Sequence, residues 1–129
     1  MIDFARYCRG LAVILGGITL VGAAALLLLD LFPRLTPSGS AISTLHNGLA
    51  AACLTLIAAA LLLFEVSRRP SRSEFVKAIL LASAFLFWAA NQLWPASRWA
   101  TPFNDAAIAL FVFDVCLVIA SRSDSATER

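Results

Sequence analysis

The chain has 129 residues, 60% of them apolar and only 14% charged, with a formal net charge of +2 and a mean hydropathy of +0.85. A soluble domain carries about a quarter charged residues, and no core of this size can take up apolar blocks as long as those found here, so a water-soluble globular fold is excluded. The small positive charge is accounted for by topology and gives no reason to expect a nucleic-acid partner.

The first apolar block runs from Leu11 to Phe32 and meets the requirement of about 20 mostly apolar residues for a spanning helix. Arg6 and Arg9 precede it and Ala23, Ala24 and Ala25 lie within it, as in a secretory leader. The apolar run continues through Leu26 to Leu29, however, which is longer than a leader's apolar region and predicts an uncleaved first helix. Within lipid, helices associate through small residues that allow close approach. Ala12, Gly16, Thr19 and Ala23 form such a stripe at helical spacing.

A breaker-rich segment with Pro33, Pro37 and Gly39 separates this block from a second, Ile42 to Phe64. Here Thr44, Gly48, Ala51, Thr55 and Ala59 share one face, and the two small-residue faces are expected to meet. The next loop, Glu65 to Glu74, contains Pro70 and three arginines, Arg68, Arg69 and Arg72, with Lys77 just beyond. A third block spans Phe75 to Trp94 and a fourth Phe103 to Ala120, joined by Pro95 to Pro102. Phe85, Phe87, Phe111 and Phe113 are expected to fill a looser pairing of these helices or to face lipid. Residues 121–129 read as a short flexible cytoplasmic tail. The predicted fold is thus an all-α integral membrane four-helix bundle made of two antiparallel transmembrane hairpins.

Lys and Arg accumulate before helix one, between helices two and three and after helix four, against Arg34 and Arg98 alone in the other loops. The positive-inside rule then places both termini in the cytoplasm, with a bacterial inner membrane as the expected location. Trp94 and Trp99 fall at the opposite interface, where aromatic belts lie.

Two polar features stand out against this background. Near the external surface every helix contributes a hydrogen-bonding residue: Asp30, His46 and Asn47, Asn91 and Gln92, Asn104 and Asp105. Buried side-chain amides without partners are costly, so Asn91 and Gln92 are expected to bond across to Asn104, Asp105 or His46. The cluster serves either to lock the helices or to form an outward-facing pocket, ringed by Trp88, Trp94 and Trp99, for a quinone headgroup, lipid headgroup, metal or small solute. The second feature is Asp114, about one turn to the cytoplasmic side of the midplane of helix four. An acid there costs about 2.5 to 3.5 kcal/mol on the insertion scale, so it should face protein or water. Ser83 and Thr55 lie at similar depth as expected hydrogen-bonding partners, and Lys77 or Arg9 are candidates for a salt bridge. From 105 to 114 a helix turns through about 900°, so Asp105 and Asp114 lie on opposite faces.

Other chemistry is missing. Cys8, Cys53 and Cys116 form no CxxC pair, and the single His46 cannot supply two haem ligands. One histidine with scattered carboxylates is a weak metal signal, so neither metal nor cofactor is expected. In size and helix count the chain resembles the small multidrug transporters, but it has no acidic residue inside helix one, where that family relies on a glutamate. No phosphate-binding loop, nucleophile elbow or HExxH occurs. The leading expectation is a small non-catalytic membrane protein, an accessory or assembly subunit that docks on other membrane subunits or self-associates in the bilayer. The alternatives are an oligomeric small-solute or proton transporter with Asp114 as its titrating site, and a quinone- or lipid-linked enzyme using the external cluster.

Overall fold

The computed structural model describes residues 2–31, 40–68 and 70–127, and the side-chain environments of 4–29, 31, 43–68 and 70–120. The loop with Pro33, Arg34, Pro37 and Gly39, together with Arg69 and the side chains of Asp30 and of residues 121–129, lies outside those bounds. The described residues form four α-helices and no strands: α1 Ile2–Leu31, α2 Ser40–Arg68, α3 Arg72–Leu93 and α4 Ala100–Thr127. Each contains a stretch long and apolar enough to cross a membrane, Phe4–Leu29, Ser43–Arg68, Arg72–Leu93 and Ala100–Ala120. Helix is the form such segments must take, because lipid offers no partner to an unpaired backbone N–H or C=O. The chain is therefore a multi-pass membrane protein.

All four helices begin before their apolar blocks, and the causes are local. α3 starts at Arg72 because Ser71 caps it: its hydroxyl accepts from the Glu74 amide at 3.3 Å, while the Ser71 amide donates to the Glu74 carboxylate at 2.9 Å. This reciprocal capping box satisfies two donors that the first turn would otherwise leave open. α4 starts at Ala100, ahead of Pro102, and proline is tolerated there because the first turn needs no amide donor. The first α-type bond of this helix runs from the Phe103 amide to the Trp99 carbonyl at 2.9 Å. At about 1.5 Å per residue, the 30 residues of α1 exceed a hydrocarbon core of about 30 Å. Its first turns, with Arg6 and Arg9, precede the apolar block that begins at Leu11.

Packing inverts the rule for soluble proteins. Among the described residues every buried apolar position is alanine or cysteine, and no large side chain is fully buried. The bulky residues point outward, with Leu20, Val21, Leu45 and Ile119 each at least 60% exposed. Small side chains let helix backbones approach and gain dispersion contact, whereas large apolar ones lose nothing by facing lipid. α1 and α2 approach tightly at Gly22, where an added Cβ would lie 2.5 Å from Cys53 Sγ. Cys53 and Ala60 are buried on this side of α2. Ala51 and Ala58, about 200° away around the helix, are 2% and 1% exposed and turn to α3.

Of the residues expected to form the first seam, Ala12 and Ala51 are buried, and Gly16, Thr19, Gly48 and Ala59 are half-buried. Ala23, Thr44 and Thr55 are exposed. Neither Gly16 nor Gly48 has an atom within 4 Å of where its Cβ would stand. The four-helix bundle is also open. α1 packs on α2, α2 on α3 and α3 on α4, and among the described residues no other pair of helices comes within 8 Å between Cα atoms. The helices form a row whose two ends do not close on each other.

Candidate functional site

α2, α3 and α4 share a cavity of about 230 Å³ at the end carrying most of the charge. From α2 come Leu61, Glu65 and Arg68; from α3 come Glu74, Lys77, Ala78 and Leu81; from α4 come Asp114 and Val118. Each set follows i, i+3, i+4 or i+7 spacing, the signature of one helix face. Asp114 is the deepest of the charged members by its distance from the helix ends. It is 8% exposed, and its Oδ1 is buried without a hydrogen-bond partner.

The other charged groups are held toward the mouth. Glu74 Oε2 accepts from both the amide and the hydroxyl of Ser71, at 2.9 and 3.0 Å, which ties it to the start of α3. The Arg68 guanidinium lies over the Phe64 ring, 5.4 Å from its centroid. Nearby, Arg6 and Arg9 of α1 line a small hollow with Ser67 of α2. The buried Ser67 hydroxyl is taken up by its own helix, donating to the Phe64 carbonyl at 2.6 Å. One end of the row thus gathers Arg6, Arg9, Arg68 and Lys77 with Glu65, Glu74 and Asp114.

Two expected neighbours of Asp114 are not its partners. Thr55 is exposed on α2, its hydroxyl donates back to the Ala51 carbonyl at 2.9 Å, and α2 does not approach α4. Ser83 is half-buried on α3 and makes no bond to Oδ1, which has none. Threonine hydroxyls in apolar helices commonly bond to the i−4 carbonyl, which satisfies them without a neighbour. Thr19 does the same, donating to the Leu15 carbonyl at 2.9 Å. The opposite-face placement is plain in the burial, for Asp105 is exposed while Asp114 is buried.

At the other end, His46, Asn91, Gln92 and Asn104 are half-buried. No hydrogen bond links Asn91 or Gln92 to Asn104 or Asp105 among the described residues. Trp88, Trp94 and Trp99 are all close to half exposed. Arg98 stacks over Trp99 at 5.2 Å, and Phe87 meets Phe103 across α3 and α4 at 6.0 Å between centroids. Between this end and Asp114, the space beside α3 and α4 is lined by Ala84, Phe85, Trp88, Ala107, Ile108 and Phe111 alone, all apolar or aromatic. Among the described residues no three His, Cys, Asp or Glu side chains are grouped to hold a metal ion.

A second groove, of about 390 Å³, opens on the side of the row shared by α1, α2 and α3. Ala12, Val13, Gly16, Ile57, Ala60, Phe64 and Phe85 line it together with Leu61 and Leu81. Those two leucines also line the Asp114 cavity, so groove and cavity adjoin at them.

Sequence reading named Lys77 beside Asp114 but missed Glu65, Arg68 and Glu74, although the signal was there. Leu61, Glu65 and Arg68 share a face with the spacing of a helical stripe, and so do Glu74, Lys77 and Leu81. No family model, no curated protein and no solved structure matches this chain.

Proposed function

We propose that the chain is a small non-catalytic membrane protein, an accessory or assembly subunit whose open helix row docks on other membrane subunits. The single observation that carries this reading is the row itself: α1 and α4 remain apart, leaving an apolar groove along α1, α2 and α3 and, beside it, a cavity with a buried acid whose Oδ1 has no partner. A self-sufficient four-helix protein would close and bury such a face. The pocket between Asp114 and the tryptophan-bearing end offers a polar solute no polar side chain, which weighs against transport through this chain alone.

In this reading the membrane is the bacterial inner membrane and the helices run as two antiparallel hairpins with both termini in the cytoplasm. What supports the orientation is the gathering of Arg6, Arg9, Arg68 and Lys77 at one end, the arrangement that retains a membrane face on the cytoplasmic side. The same cations can touch anionic headgroups.

The test is extraction of the tagged full chain into native nanodiscs, followed by native electrophoresis. Migration within a larger complex of defined composition is expected. Recovery of the chain alone, under conditions that keep known complexes of the same membrane intact, would remove the accessory reading.

A further inference from the structure

We infer that the groove and the Asp114 cavity together seat a transmembrane helix of a partner protein that carries a lysine or arginine about one turn from the membrane midplane. The inference rests on the docking role proposed above and names the partner's chemistry. Three observations lead to it. The carboxylate of Asp114 is more than nine-tenths buried, lines the cavity, and holds an oxygen without a hydrogen-bond donor. A buried acid is stable in lipid when a cation or N–H donor meets it. A donor that satisfies Asp114 must come from outside the described contacts of the chain.

Second, the charge of the cavity selects a cation. Asp114, Glu65 and Glu74 line it against Arg68 and Lys77, a formal balance of 2 − 3 = −1. The Arg68 guanidinium is held over the Phe64 ring. A singly charged cationic occupant would bring that balance to zero.

Third, the groove continuing from the cavity through Leu61 and Leu81 suits a helix rather than a free ion. Its floor has small residues, Ala12, Gly16 and Ala60, and space is open above Gly16, where an added Cβ would meet nothing within 4 Å. Small residues in a row accept the ridge of a neighbouring helix. A metal ion would find no group of three ligands here, and a small hydrophilic cation would leave the apolar groove unfilled.

The experiment uses the purified full chain in phosphatidylcholine vesicles with synthetic leucine-rich transmembrane helices as probes. One probe carries a single lysine at the depth of Asp114 and its control carries methionine there. Association is read by energy transfer. The lysine helix is expected to associate about tenfold more strongly than the methionine helix, the size of a good polar contact between membrane helices. Asp114→Asn should abolish that preference, and Asp114→Lys should transfer it to a probe bearing aspartate. Helicity and monodispersity of each variant in detergent establish that it folds.

Equal association of both probes with the wild-type chain, or a lysine preference that survives in Asp114→Asn, would overturn the inference. So would a preference that disappears when phosphatidylethanolamine is added, since the lipid's ammonium would then be the occupant. The docking role and this contact fail separately. A native complex retained by Asp114→Asn removes the contact and leaves the role. A chain that selects the lysine probe but is recovered alone from its membrane keeps the contact and loses the role.

Discussion

Asp114 is the residue at which stability and function part company. A buried acceptor without a partner costs about 1 to 3 kcal/mol, and Oδ1 is in that state. Replacing Asp114 by leucine is therefore expected to stabilise the isolated chain by a similar amount, read as a higher midpoint of thermal unfolding in detergent. A lower midpoint would mean that the carboxylate is a structural support of the isolated chain. Gly22 makes the opposite case. An added Cβ would approach Cys53 Sγ to 2.5 Å, so Gly22→Ala should destabilise by about 1 to 3 kcal/mol through overpacking. Adding Cys53→Ala removes the obstructing sulfur and should restore most of the loss in the same assay. Thr55 lies at neither kind of site. It is exposed and bonded to its own helix, so Thr55→Val should change stability by less than about 0.5 kcal/mol.

The helices show which local signals carried their boundaries. The apolar blocks were legible because lipid demands about 20 apolar residues in a run, and each falls on an observed helix, except that Phe32 lies outside the described residues and Trp94 is the C-cap of α3. The starts were less so, since a cap is polar and lies outside the block that reveals the helix. Ser71 and Glu74 spell a capping box at the right spacing, and the structure closes both of its bonds. Ser71→Ala should cost about 1 kcal/mol and raise amide hydrogen exchange in the first turn of α3, with the other helices unchanged. The faces were harder still. Both small-residue stripes of α2 obey helical spacing, Thr44 to Ala59 on one side and Cys53 with Ala60 on another. Spacing identifies a face but not which neighbour covers it. In this fold Cys53 meets α1 at Gly22.

At the level of the whole molecule, the helices stand in an open row with α1 and α4 apart. Cysteines placed at Val13 and Ile108, in a background lacking Cys8, Cys53 and Cys116, should stay unlinked by a short bifunctional reagent in dilute micelles. Efficient intramolecular linking would show a closed bundle. The row also determines what the polar residues can do. Asp114 shares its cavity with Glu65, Arg68, Glu74 and Lys77 because α3 lies between α2 and α4. Thr55, at similar depth, is exposed and bonded to its own helix, and does not line that cavity.

The amino-acid sequence by itself determined the solvent, the number of spanning helices and the half-turn separating Asp105 from Asp114. These follow from composition and from the fixed pitch of a helix, which need no knowledge of neighbours. Only the tertiary structure decided which small-residue faces meet, that the row stays open, and that Asp114 is buried without a donor. Contacts between helices in lipid depend on close fit rather than on hydrophobic drive, and many alanine-rich faces fit alike until the whole chain is packed.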